Sequence, residues 1–458
     1  MTSPISPTNP DIEQIRSMFQ RVATDSFYQE LAEKFEIGLG SGIYSLAVVV
    51  LLMIFQHLSP KGTLAVAVQE MARHLKSRRS SSAEDCKRIR EGKISCNTGG
   101  FCQARQNVST LVISHVSEHI FEQLRQQMPS PEAGPTVYVV DGTTMQLAHS
   151  KDLANDFPPG QNQHGDNHWP ILEVVVFHDA RSGLAVPPSW GPKYGPQAVS
   201  EQALAKRALG RLPADAILLG DGNFGVFFFV HAVQQSGRPI VARMTAARAA
   251  SLLRGIPVPK DGKRVRVTWT PSYYERQAHP DLPADASVQG WVVVSENAAD
   301  PTRKLYLFTT LDWQPKRVIA LYKLRWNIET DLRSLKQTMG LQRITGKSTS
   351  VVEKQLLMAY TAYNLVRAVI YVAACREGLP PRDYSFSVSQ DALMAAWGDL
   401  QRATTKAAFN RELDLLIFFV SKAKLPRRSG RRAYPREIWG RGGHFPFRPS
   451  PATKEPAQ

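Results

Sequence analysis

Apolar positions recur at helical spacing through the first 130 residues. Leu64, Val68, Met71 and Leu75 fall on one helix face, and Val108, Leu111, Val112, His115 and Val116 fall on another. Gly42 to Phe55 is apolar almost throughout but shorter than the roughly 20 residues a bilayer span requires, so it predicts a buried helix. Between these helices, Lys76 to Glu84 (KSRRSSSAE) predicts an exposed basic loop. The period then shortens. Thr136–Asp141, Ile171–His178 and Leu184–Pro188 are rich in β-branched residues and bounded by Gly, Pro or Asp, as strands are. Ser200–Leu209 predicts a helix, Ala216–Gly220 a short strand ending at Asp221, and Ile240–Arg243 another strand. From 245 to 303, segments such as Val265–Thr270 and Gly290–Ser295 predict an antiparallel β insertion. Lys304–Thr310 resumes the main pattern, followed by amphipathic helices over Pro315–Met339 and Val351–Cys375. Strand, helix and strand, interrupted and resumed, describe an α/β domain carrying an inserted β module.

Composition changes this picture in one direction. Of 458 residues, 43% are hydrophobic and 21% charged, which excludes wholesale disorder. Four cysteines are too few for a disulfide scaffold, and the N-terminus lacks a basic stretch followed by an apolar one, so a cytoplasmic protein is expected. Lys and Arg number 56 against 40 Asp and Glu, a net charge of +16 that calls for a polyanionic partner, nucleic acid or a membrane surface. Half of that excess lies in 421–458, where ten basic residues face only Glu437 and Glu455. Tyr434, Trp439, Phe445 and Phe447 are interleaved there, which favours nucleic acid over a plain solubilising tail.

The candidate chemistry lies on the helix over 315–339. Tyr322, Arg325, Glu329 and Lys336 sit within about 60° of one another at 100° per residue, beside a separate apolar stripe of Leu321, Leu324, Ile328, Leu332 and Leu335. By itself Arg325–Glu329 is also an ordinary i,i+4 ion pair. Two further acids follow or end apolar strands: Asp141 in VVDGTT and Asp221 in LLGDGNFG. Each alone can be a turn residue. Together the three carboxylates suit two Mg²⁺ ions that activate a hydroxyl nucleophile and stabilise the leaving oxygen in phosphodiester cleavage, with the neighbouring cations on phosphate.

These residues resemble the DDE transposases of insertion-sequence family four. Tyr322, Arg325, Glu329 and Lys336 match the Tyr-x2-Arg-x3-Glu-x6-Lys signature, and the DGTT and GDGNFG segments are similar to the family's two aspartate blocks. The long β insertion before the glutamate, the segment Ser95–Arg105 (SCNTGGFCQAR) and the Arg/Pro-rich ending are similar too, so the resemblance spans nearly the whole chain. It implies an RNase H-like core in which Asp141, Asp221 and Glu329 bind two Mg²⁺ ions, with Mn²⁺ able to substitute. Tyr322, Arg325 and Lys336 would contact phosphates at the element end. Trp291 would stack on a flipped base, ahead of Trp269 and Trp313. The implied reaction is nicking at the terminal inverted repeats, then joining of the freed 3′-hydroxyl to target DNA. Double-stranded DNA and a homodimeric paired-end complex are the implied partners, at the nucleoid and without a membrane.

The expected organisation is a helical DNA-binding region over 1–130 and a core over 131–244 and 304–345, split by the insertion over 245–303. A helical region over 346–420 and the basic tail over 421–458 complete it. Cys96, Cys102, His115 and His119 approach a zinc-finger spacing, but the first gap is too long, and the two histidines are expected to be structural. An RNase H-like nuclease without strand transfer, or a silent DNA-binding regulator, would share much of this pattern. A carboxylate-pair glycosidase would leave the basic tail without a use.

Overall fold

The computed structural model describes residues 25–38, 44–59, 62–77, 96–128, 135–162, 165–297, 300–403 and 405–426. The chain divides into a body over Met1–Lys424 and a second unit, Leu425–Gln458. Nearly all of the basic tail, most of the expected loop over 76–84, and Ser95 lie outside the described residues.

Five described helices precede the sheet: α1 (Asp25–Lys34), α2 (Leu46–Leu58), α3 (Leu64–Ser77), α4 (Gly99–Asn107) and α5 (Thr110–Gln127). The apolar run yields α2, whose Val49, Val50, Ile54 and Leu58 are buried. His119 stacks on Phe27 with ring centroids 4.0 Å apart, and His115 meets Phe35 edge-on at 4.9 Å and Lys34 at 2.8 Å. Both rings thus fasten α1 to α5.

Next come β1 (Val137–Leu147), α6 (Lys151–Asp156), a small hairpin β2 (Gln161–Asn162) and β3 (Gly165–Asp166), β4 (Ile171–Asp179) and β5 (Ser189–Pro192). They are followed by α7 (Glu201–Ala208), β6 (Ile217–Gly220), α8 (Phe227–Gln235), β7 (Ile240–Met244) and α9 (Ala246–Leu252). Then follow β8 (Arg264–Trp269), α10 (Tyr273–Ala278), β9 (Val288–Asn297) and β10 (Asp300–Thr309). The strands form a nine-stranded sheet in the order β5-β4-β1-β6-β7-β10-β9-β8, with β11 (Arg343–Ile344) on the end of β1. β1 runs antiparallel to β4 and parallel to β6, and β6 runs parallel to β7. The molecule is therefore α/β with a large mixed sheet. The strands of the insertion are antiparallel, yet they do not stand apart: β10 pairs with β7, so they widen the main sheet.

Three expectations need correction. Leu184–Pro188 makes only an isolated bridge, Ala185 to His178, and β5 follows it. The Asn364 side chain takes the place of a neighbouring strand there, accepting from Ala185 N and donating to Ala185 O, each at 2.8 Å. The helix over 315–339 is not regular. It comprises α11 (Pro315–Tyr322), a 3₁₀ turn (Lys323–Trp326), α12 (Asn327–Arg333) and a π turn (Ser334–Thr338). Last, the expected amphipathic helix is α13 (Thr349–Glu377), buried on every side along nearly its whole length. By length and composition α13 could cross a bilayer; here it is the central rod of the protein interior, flanked by α2, α5, α14 (Phe386–Arg402) and α15 (Lys406–Lys422).

Lys354 of α13 is fully buried and donates to the carbonyls of Arg105, Gln106 and Val108 at 2.9, 3.1 and 2.8 Å. It thereby satisfies the open C-terminal end of α4.

Candidate active site

Parallel pairing sets the level of two acids. Val139 of β1 lies opposite Leu219 of β6, and two residues further on each strand leads to an aspartate, Asp141 and Asp221. Asp141 Oδ1 accepts from Gly142 N at 2.9 Å, and Asp221 Oδ1 accepts from Asn223 N at 2.9 Å. Burial pushes the Asp141 carboxyl up to about 7. The Asp221 charge adds to the rise and the Gly142 N–H opposes it; Arg325 lowers it and Glu201 raises it further. A carboxylate pair of this kind gains from a nearby cation.

The loop after Asp221 is held tightly. Arg248 of α9 donates to Gly222 O and Gly225 O at 3.3 and 2.7 Å, and Glu275 of α10 accepts from Phe227 N at 3.2 Å. A Cβ at Gly225 would stand 1.9 Å from Arg243 O, so only glycine permits this approach. α9 and α10 thus steady the segment that follows Asp221.

Two of the signature residues, Tyr322 and Arg325, lie near this pair. Arg325 follows Tyr322 by three residues, in the 3₁₀ turn that continues α11. Tyr322 is 6% exposed and its hydroxyl has no hydrogen-bond partner among the described residues. Burial pushes that phenol up to about 12, with Arg325 and Arg243 lowering it and Asp221 and Asp141 raising it. Arg325 Nη2 pairs with Glu329 Oε1 at 3.0 Å, the i,i+4 contact the spacing also allowed. Lys336 Nζ donates to Thr143 Oγ1 at 3.1 Å, two residues beyond Asp141 on the same strand.

A cleft of about 360 Å³ opens beside these groups, lined among others by Arg243, Lys304, Tyr322, Lys323, Arg325 and Trp326. Among the described residues, no three acids, histidines or cysteines converge closely enough to hold a metal ion as the side chains stand. The donors that could take part are all carboxylate oxygens, which suits Mg²⁺ or Mn²⁺. Asp141 and Asp221 already interact, while Glu329 is turned to Arg325.

The tryptophans separate clearly. Trp291 is half-buried on β9, with the Arg264 guanidinium 3.9 Å over its ring, and Trp269 is buried. Trp313 carries Arg317 on its face at 3.6 Å. Trp326 is 56% exposed at the cleft, and the Arg325 guanidinium lies 4.6 Å from its centroid. Sequence reasoning passed over it, although its place directly after Arg325 was a usable signal.

Asp331 was also missed. It is fully buried, two residues beyond Glu329, and pairs with Arg367 at 2.5 Å and with Arg382 at 2.5 and 2.9 Å. Burial would raise its carboxyl, but Arg382, Arg367 and His178 hold it at about 2. Asn327 Nδ2 donates to Ala180 O at 2.8 Å, and Arg382 reaches Ala180 O and Asp179 O at 3.2 and 3.0 Å. The helix bearing Glu329 is thereby fastened to the end of β4.

The family model for the transposase DDE domain matches residues 132–365, half of the chain. Transposase InsG for insertion sequence element IS4, from Escherichia coli (strain K12), is 24% identical over 355 residues, covering 76% of this chain and 77% of that protein. The cryo-EM structure of the piggyBac transposase synaptic complex with hairpin DNA aligns over 94% of this chain and 90% of that one, at 12% identity and a TM-score of 0.43.

Proposed function

Because the chain belongs to the transposase DDE-domain family, we propose that it cuts DNA at the terminal inverted repeats of an insertion sequence and joins the freed 3′-hydroxyl ends to target DNA. The observation that supports this reading is the approach of Asp141 and Asp221, from adjacent parallel strands, to Arg325 of the signature helix, which in turn holds Glu329. The mixed sheet, with parallel β1, β6 and β7 beside an antiparallel β4, supports an RNase H-like core.

Asp141, Asp221 and Glu329 are the residues that would hold two divalent ions. When bound, such ions supply Lewis-acid activation of water or a 3′-hydroxyl and stabilise the leaving oxygen. The protein's own part is positioning. Arg325 can exchange its bond with Glu329 for a phosphate, and Arg243, Lys304 and Lys323 extend the basic rim of the cleft along a backbone. Lys336, anchored on Thr143, places a cation beside the Asp141 strand. Trp326, exposed among these cations, is better placed to stack on an unpaired base than Trp291, whose ring face is covered. Exposed Leu415, Phe418 and Phe419 on α15 support a homodimer in the paired-end complex.

The test is cleavage and joining of a duplex carrying the element's own ends, with Mg²⁺ or Mn²⁺. D141A, D221A and E329A are each expected to abolish cutting while retaining end binding; a variant that still nicks removes that carboxylate from the scheme. Cutting by the wild type without joining identifies a nuclease instead.

A further inference from the structure

On the reverse face of β1 lies a carboxylate that the signature does not contain. Successive strand residues point to opposite sides, so Asp141 and Thr143 face the helix of Lys336 while Gly142 faces α7. Glu201, the first residue of α7, fills that place. A Cβ on Gly142 would stand 2.3 Å from Glu201 Cδ and 2.7 Å from each carboxylate oxygen. The same carboxylate accepts from Asn223 Nδ2, and the next residue, Gln202, donates from Nε2 to Asn223 O at 2.7 Å and Oδ1 at 3.0 Å. Asn223 N in turn donates to Asp221 Oδ1, and Gly142 N donates to Asp141 Oδ1. Behind this group, buried Glu173 is held by Lys193.

We propose that Glu201 is a positioning residue that sets the two metal-binding aspartates relative to each other, by seating against Gly142 on one strand and holding Asn223 on the loop of the next. It touches neither substrate nor metal. It acts through the two backbone N–H groups that orient Asp141 and Asp221. The requirement for glycine at 142 has the same origin, since any side chain there displaces the Glu201 carboxylate. The inference rests on the proposed function, because it assigns Asp141 and Asp221 to metal.

A purely structural alternative exists, because an acid in the first turn of a helix favours the helix dipole. The experiment therefore reads Mn²⁺ affinity of the full-length protein by electron paramagnetic resonance, alongside its melting temperature and end cleavage. E201A is expected to weaken Mn²⁺ binding by about 10- to 100-fold, the range for partners that orient metal ligands, with little change in melting. E201Q, whose carbonyl oxygen can still accept from Asn223, is expected to stay near wild type. G142A should weaken binding as E201A does, and G142A/E201A should be no worse than E201A alone. Wild-type Mn²⁺ affinity in E201A overturns the proposal, as does equal loss in E201A and E201Q, or additive losses in the double variant. If E201A matches a wild type that binds Mn²⁺ and cuts, only this inference fails. If the wild type does neither, the proposed function fails with it.

Discussion

At the scale of the residue, two buried groups carry opposite lessons. Tyr322 keeps a buried hydroxyl that has no partner among the described residues, a feature that costs about 1–3 kcal/mol. Y322F is expected to leave stability unchanged or raise it by up to that amount, measured by denaturant unfolding, while end cleavage falls. Wild-type cleavage in Y322F would mean that the hydroxyl has no use there. Asp331 is the reverse case, an acid paired with two guanidinium groups and lying 3.6 Å from the His178 ring nitrogen. D331N leaves those two cations unpaired and is expected to destabilise by about 3–5 kcal/mol. Its folded value near 2 lies below the ordinary 3.8. Its contribution is thus present above pH 3.8 and lost as pH falls towards 2. His178 is likewise depressed, to about 4 by burial against an ordinary 6.5, and Arg382 and Arg367 oppose its protonation while Asp331 and Gly183 favour it. Its neutral form is required, so stability is full above pH 6.5 and declines as pH drops towards 4. A thermal melt series from pH 7 to pH 2 should show these two losses in succession, with the lower one absent in D331N.

At the scale of the element, K354M is expected to free three carbonyls at the end of α4 and raise hydrogen exchange across 99–107, with stability lower by about 1–3 kcal/mol. Unchanged exchange there would show that α4 holds without the cap. Legibility followed the range of the forces involved. The strand bearing Asp141 is rich in β-branched residues and the one leading to Asp221 is a short apolar run ending in Gly220, and local pattern sufficed for both. The irregular turns at 323–326 and 334–338 leave no mark on hydrophobic period, because they answer to packing partners elsewhere in the chain. Leu184–Pro188 has strand composition, yet Asn364, distant in sequence, claims its backbone groups. The pairing of Asp331 with Arg367 and Arg382 is equally non-local, and it left this acid indistinguishable from a surface residue in the one-dimensional pattern. Trp326 was different. It stands between two signature residues, at a position that the signature skips.

At the scale of the whole molecule, the charge excess has a described location as well as a tail. Arg243, Lys304, Lys323 and Arg325 line one cleft together with a single acid, Glu296, which pairs with Lys304 at 3.1 Å. Neutralising Lys323 should reduce the slope of log affinity against log salt by about one, the share of a single phosphate, for specific and unrelated duplexes alike. An unaltered slope would take Lys323 off the DNA path. The largest shared element is α13. The helices α2 and α5, made some 230 to 300 residues earlier, bury their apolar sides against it. During synthesis those sides have no lasting cover until residue 377 has left the ribosome, long after both aspartates have been translated. Such distant pairing makes folding slow and leaves partial chains prone to aggregate. Prematurely ended products would therefore carry Asp141 and Asp221 without a fold to align them, and a cutting enzyme that assembles only late in its own translation is safer for the cell that makes it.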